Sequence, residues 1–277
     1  MILRKITNAV MFMLTGLCAL ATISVLFFIL GYLVYYGARS LNWAFLTQLP
    51  KPAGEAGGGM ANAIAGTAKL LLLTALMGVP IGFVAGVYLS EYGRGAFAFA
   101  VRYAADLLNG VPSIVIGIFA YALAVVPLGH FSAFAGGVAL SIMVIPITIR
   151  TTEQFLRAVP QSLREGALAL GASKSRTIAT VVIPAAARGI LTGTILAVAR
   201  VAGETAPLLF TAFSNTYWSH GWLEPIASLP VMIFNYAISP YDDWHRQAWA
   251  AGLVLLALML AANIAARMIL SPKAGRA

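Results

Sequence analysis

Across 277 residues the composition is 60% hydrophobic and only 10% charged, where a water-soluble domain carries roughly a quarter charged residues, so a soluble enzyme is excluded. The formal charge is +9, but the Lys and Arg residues punctuate apolar runs instead of gathering on one basic face. That pattern excludes a nucleic-acid-binding module and marks a membrane protein of several spans.

Length then counts crossings: at roughly 20 apolar residues each, about six helices fit. Arg4 and Lys5 precede an apolar run from about Ala9 to Tyr36. It is too long for a signal-peptide core and no clean cleavage site follows, so it is expected to be an uncleaved first span. A polar loop closing on Gly57-Gly58-Gly59 leads to a second span, from Asn62 or Leu70 to Leu89. The hydrophilic turn Ser90 to Gly95 leads to a third, from about Phe99 to Val126, interrupted at Gly110 and Pro112. After the turn Pro127 to His130, a fourth covers about Phe131 to Ile149. The most polar stretch follows, from Arg150 to Arg188, and then a fifth span from about Gly189 to Phe213. A loop rich in Trp, Tyr, Pro and Ser runs to Arg246, and the sixth span covers about Gln247 to Leu270. Prolines within spans (Pro80, Pro112, Pro146, Pro207) are expected to kink them. The chain is therefore expected to be all-α and polytopic, one transmembrane domain over 1–277 with a core over about 58–270, an added N-terminal span over about 9–36 and a cytoplasmic loop over about 153–187.

Six crossings put both termini on one side. The segments on that side hold most of the cations, among them Arg4, Lys5, Arg94, Arg157, Arg164 and Lys174, with Arg267, Lys273 and Arg276 at the far end. The opposite side holds Arg39, Lys51, Lys69 and Arg246. Positive residues stay inside, so both termini are expected in the cytoplasm. Trp43, Trp218, Trp222, Trp244 and Trp249 then fall in or beside the outer loops, as an interfacial aromatic belt requires. Cys18 alone permits no intrachain disulfide, and His130, His220 and His245 are too far apart for a metal site. No cofactor is expected.

Two regions carry chemistry. The first is Glu165-Gly166-Ala167-Leu168-Ala169-Leu170-Gly171, followed after nine residues by Val181-Val182-Ile183-Pro184. It reads as a short helix, a glycine that turns the backbone, and a second helix that Pro184 limits. Gly166, Ala167 and Ala169 would let another protein approach closely, although a solvated hairpin accounts for the same residues. The second is Arg200, three turns beyond Arg188 and so roughly 18 Å farther along a helix, near the middle of a hydrocarbon core roughly 30 Å thick. An arginine there costs at least about 2.5 kcal/mol and faces a cavity or a counter-charge. Glu204 follows at i+4, on the same face one turn later, and either neutralises Arg200 or limits how tightly Arg200 holds an anion. Arg150 is expected near the cytoplasmic end of the fourth span, where it snorkels to the headgroups or offers its planar fork to an oxyanion. Arg102 and Asp106, at i and i+4, are expected to pair at the interface. The chain holds no phosphate-binding loop, since Gly57 to Lys69 lacks the spacing, so energy comes from a partner or an ion gradient.

The loop pattern from Glu165 to Pro184 resembles the cytoplasmic signature loop of permease subunits in ABC importers, with Gly166 where alanine is commoner and Ile183 in place of leucine. The resemblance implies a coupling helix seated in a groove of an ATPase subunit, with Glu165, Gly166, Ala167 and Gly171 at that contact. Further segments are similar to the A-type permeases of phosphate-specific importers: Gly78-Val79-Pro80-Ile81-Gly82, Tyr88-Leu89-Ser90-Glu91-Tyr92, Gly110-Val111-Pro112-Ser113-Ile114-Val115, Arg150-Thr151-Thr152-Glu153 and Gly203-Glu204-Thr205-Ala206-Pro207-Leu208-Leu209-Phe210. The resemblance implies the type I importer fold and half of a translocation pathway for inorganic phosphate. It assigns Arg150 and Arg200 to phosphate passage, with Glu204 as the ionic partner of Arg200. It also implies four kinds of partner: a C-type second permease, two copies of an ATPase subunit, an extracytoplasmic phosphate-binding protein and the lipid bilayer of a bacterial inner membrane. A permease for molybdate or sulfate would share the loop. An ATP-independent carrier or an intramembrane enzyme is disfavoured, because only Glu204 and Asp106 lie at depth to serve catalysis.

Overall fold

The computed structural model describes residues 2–270. Lys273 and Arg276, counted above among the cytoplasmic cations, lie outside them, as does the side chain of Arg267. The elements are all helical: α1 (Ile2–Ser40), α2 (Trp43–Thr47), α3 (Ala61–Glu91), α4 (Gly95–Gly110), α5 (Ser113–Leu128), α6 (Ala133–Arg157), α7 (Gln161–Ala169), α8 (Lys174–Val201), α9 (Ala206–Leu209), α10 (Leu229–Ala237) and α11 (Asp242–Leu270). Among the described residues, α1, α3, α6, α8 and most of α11 are long and apolar enough to cross a membrane. The pair α4 and α5 makes a sixth crossing if taken as one span, bent by 108°.

The centre of the fold is the parallel pair α3 and α6, whose contacts advance together along both helices. Gly78, Gly82 and Gly86 recur every fourth residue on α3 and meet Ser141, Thr148 and Thr152 of α6. Such small-residue stripes let helix backbones approach in a membrane, where apolar side chains gain nothing by leaving lipid. A Cβ on Gly82 would lie 2.6 Å from Thr148 Cβ, and one on Gly86 would lie 2.6 Å from Thr152 Cβ. Gly82→Ala is therefore expected to cost about 1–3 kcal/mol by overpacking, read as a lower unfolding midpoint in detergent. An unchanged midpoint would mean that the two helices do not touch at that level. The same device recurs where α8 crosses α6, with Gly189 against Phe155 and Gly193 against Thr151.

The N-terminal helix stands apart. Its hydroxyls at Thr7, Thr15 and Thr22 bond back to the carbonyls of Leu3, Met11 and Cys18 at 2.8–2.9 Å, which satisfies them within an apolar helix. It meets α11 near its C-terminal end, where Gly37 admits the Trp249 backbone and Tyr32 and Tyr36 pack on the Trp249 ring. The outer-loop indoles are more engaged than a belt alone requires. Trp244 stacks on Tyr236 with centroids 4.2 Å apart, and Trp222 lies under the Lys69 ammonium.

Three expected boundaries move. The fourth span does not stop at Ile149: α6 runs on to Arg157, because Arg150, Glu153 and Arg157 find partners inside the protein and need not leave the helix. The fifth span begins fifteen residues earlier than expected and ends at Val201, not Phe213. Pro184 does not end it. In the turn before this proline the hydrogen bonding widens, with the Ile183 N–H donating to the Ile178 carbonyl five residues back, which absorbs the missing donor of Pro184. Pro127 in α5 is handled the same way, with Val126 N–H on the Tyr121 carbonyl. Pro80 and Pro146 lie inside uninterrupted helices, while Pro112 marks the break between α4 and α5.

Candidate functional site

A band of charged side chains runs between α4 and α6 and ends beside the last turn of α8. On α4, Arg102, Asp106 and Asn109 follow at helical spacing and share one face. Opposite them on α6 stand Arg150, Glu153 and Arg157. Glu153 is the hub, its side chain only 3% exposed. Arg102 Nε donates to Oε1 at 2.6 Å, Arg157 Nη2 approaches the same oxygen at 2.8 Å, and Arg150 Nη1 donates to Oε2 at 3.3 Å. Arg102 also donates to the Leu89 carbonyl at 2.8 Å, which ties the end of α3 into the group. A buried carboxylate is tolerated because several charge-assisted bonds replace its hydration.

The partners differ from the expected ones. Arg102 pairs with Glu153 and not with Asp106, which instead grips Arg150 across the helix interface: Nε donates to Oδ1 at 2.7 Å and Nη2 to Oδ2. Carboxylate and guanidinium facing one another from two helices can meet as flat forks, whereas neighbours at i,i+4 on one helix must bend long side chains along its surface. Arg150 accordingly turns its fork toward α4 and the body of the protein. It sits inside α6, held by Asp106, Glu153 and, at 3.5 Å, the Arg102 carbonyl.

Arg200 lies level with the middle of α6, beside Met143 and Ile147, for a reason other than its distance from Arg188. Helix α8 runs antiparallel to α6, with Gly189 against Phe155 and Gly193 against Thr151, so its last turn arrives level with the middle of α6. There Arg200 lines a cavity of about 30 Å³ with Asn109, Val111, Ile116, Met143 and Ile147. The cavity lies at the elbow between α4 and α5 and is large enough for little more than a water molecule. The Arg200 side chain is exposed, and among the described residues it forms no ion pair. Glu204 is not its partner here. The helix ends at Val201, so the i,i+4 geometry fails; Glu204 N–H closes a turn on the Val201 carbonyl, and its half-buried side chain belongs to the link into α9.

At the other end of the band, the short helix and glycine turn expected from the loop are both present. Helix α7 spans Gln161–Ala169, and Gly171 adopts φ +84°, the left-handed conformation that glycine reaches freely. Glu165 and Gly166 are exposed and Ala167 half-buried. Leu163 and Leu168 are also exposed, and Leu170 is 90% exposed. The helix is nevertheless anchored: Arg164 Nη1 pairs with the buried Glu91 at the end of α3, and its Nη2 donates to the Leu156 carbonyl of α6 at 2.7 Å. Lys174 donates to the Glu91 carbonyl at 2.7 Å and lies over the Tyr92 ring.

Glu153 and Glu91 were given no role by sequence reasoning, and Asp106 was given Arg102 as its partner instead of Arg150. Arg150, Glu153 and Arg157 stand at i, i+3 and i+7, a helical spacing that pointed to one charged face had the fourth span been carried past Ile149.

Comparison with known proteins places this geometry. Residues 78–272 match the family described as "Binding-protein-dependent transport system inner membrane component". The chain is 47% identical to the phosphate transport system permease protein PstA of Yersinia pestis, over 90% of this chain and 84% of that one. It is 44% identical to the protein of that name from Haemophilus influenzae, over 98% and 96%. Among solved structures, a chain of the inward-facing MetNI methionine ABC transporter superposes with a TM-score of 0.59 at 19% identity, covering 76% of this chain and 95% of that one. A chain of a bacterial ABC transporter that imports the acidic polysaccharide alginate gives 0.56 at 15% identity, covering 90% and 96%. At those identities the likeness is one of fold.

Proposed function

The chain belongs to the binding-protein-dependent transport system inner membrane components, and from that premise we propose that it is the A-type permease of an ATP-driven phosphate importer, one half of the translocation pathway. The observation that carries this reading is Arg200: a guanidinium level with the middle of the apolar helix α6, exposed and without a counter-charge among the described residues. Such a group cannot face lipid, so the face bearing it must be covered by another protein, and the space enclosed is a polar path. A second, C-type permease fits that role.

Phosphate is the cargo in the names of the relatives, and a planar, permanently charged fork suits a tetrahedral oxyanion. Arg200 makes the mid-depth contact and Arg150, on the cytoplasmic side of it, the next one. Glu204, near the end of the same helix, keeps the local field from trapping the anion, since a path needs weak binding to release its cargo. Helix α7 serves as the coupling helix. Its small residues Gly166 and Ala167, exposed leucines and Glu165 seat in an ATPase subunit, of which the assembly carries two copies. The Arg164 clamp passes their movement to α3 and α6. An extracytoplasmic phosphate-binding protein delivers the anion to the opposite end.

The test is purification of the chain from its native membrane with whatever subunits accompany it, reconstitution into vesicles, and ATP-dependent uptake of labelled phosphate against a panel of unlabelled anions. Competition by phosphate, and none by sulfate or molybdate at equal concentration, is expected. Uptake that follows molybdate or sulfate would reassign the cargo, and uptake by the chain alone without ATP would remove the coupling role of α7.

A further inference from the structure

All three nitrogens of the Arg150 fork are engaged, and the Nε/Nη2 edge that would grip an anion with two bonds is filled by Asp106 and, at 3.5 Å, the Arg102 carbonyl. Two nitrogens lie on the two oxygens of Asp106, and the third is on Glu153. The two carboxylates are held very differently. Glu153 is buried and fixed by three arginines, while the Asp106 side chain is 56% exposed and bonded to Arg150 alone. Asp106 also sits on α4, one turn before the sharp break at Val111 and Pro112. It can withdraw from Arg150 without unmaking anything else, and Glu153 cannot.

We propose that Asp106 is an internal stand-in for the transported oxyanion, a carboxylate that closes the inner half of the path by occupying Arg150. This rests on the phosphate-import reading and adds to it a specific closing group. Arg200 is level with the middle of α6, and Arg150 lies about 8 Å nearer the cytoplasm at 1.5 Å per residue. An anion leaving Arg200 therefore meets the Asp106 carboxylate before it meets a free cation. An anion entering from the cytoplasm finds Arg150 neutralised. Passage needs α4 to draw Asp106 off, which frees the fork for phosphate; return of Asp106 then displaces the anion to the cytoplasm. The exchange is balanced, one bidentate anion replacing another on the same guanidinium.

The experiment uses the full complex with its second permease and ATPase subunits, in vesicles. It compares wild type, Asp106→Asn and Arg150→Lys by ATP-driven uptake of labelled phosphate and by ATP-independent efflux from loaded vesicles. Asparagine keeps the size of aspartate and loses its charge. Lysine keeps the charge of Arg150 but cannot be gripped by both oxygens. Each variant is expected to raise passive efflux about tenfold or more, the equivalent of losing about 1.4 kcal/mol of closure, while ATP hydrolysis continues. Wild-type efflux in both variants would overturn the proposal even where uptake is impaired. A wild-type complex that imports no phosphate would instead overturn the functional reading. If Asp106→Asn fails to assemble, Arg150→Lys alone decides the matter.

Discussion

An Arg200→Gln complex is expected to import phosphate about 10- to 100-fold more slowly than wild type while assembling and hydrolysing ATP normally. The size follows from hydrogen bonds to charged groups, which contribute about 1.5–3 kcal/mol, at tenfold per 1.4 kcal/mol. The selectivity of the effect follows from the structure. Arg200 makes no ion pair among the described residues, so its removal leaves no buried carboxylate without a partner. Glutamine remains a donor but presents a shorter, uncharged group. Arg200→Lys should recover part of the loss, since it restores the charge without the fork. The measurement is initial uptake rate in vesicles normalised to complex recovered. Normal import by a fully assembled Arg200→Gln complex would take this side chain out of the pathway.

The second large effect belongs to Glu153 and is one of stability. Glu153→Ala leaves Arg102, Arg150 and Arg157 facing one another around a vacated, buried position. Removing one partner of a buried charge group costs about 3–5 kcal/mol. The lower end is expected here, because Arg157 is more than half exposed and Arg102 keeps its bond to the Leu89 carbonyl. The readout is the thermal unfolding midpoint of the complex in detergent, with yield as a second measure. Pairing Glu153→Met with Arg102→Met should recover part of the loss, since it removes the least exposed of the three cations that Glu153 neutralises. No recovery in the double variant would mean that Glu153 acts through something other than the cations it touches.

How much of this was legible in the residues depended on whether a feature was local. The short helix and the Gly171 turn were readable because a glycine between small residues and a later helix allows few other paths. The position of Arg200 was counted along a helix whose real start and end both lay elsewhere, and its place level with the middle of α6 comes from the crossing of α8 on α6. What stayed hidden was pairing across helices. Arg102 and Asp106 looked like one another's partners because i,i+4 is the contact that a single helix displays. Only the packing of α4 on α6 shows that each has a better one. The end of the fourth span was missed for the same reason: Arg150 ends an apolar run, and nothing nearby in sequence reveals that Asp106 and Glu153 make it compatible with a continuing helix.

The glycine stripe on α3 has a mechanical consequence. With Gly82 and Gly86 locked against threonine side chains, α3 and α6 cannot slide or roll past one another and form a single stiff post. Compliance is left to two joints that flank it at the same depth: the bend at Val111 and Pro112, and the open link through Gly203 after α8 ends. Small rotations at both would tighten or relax the molecule around its waist like an iris, while the post stays still.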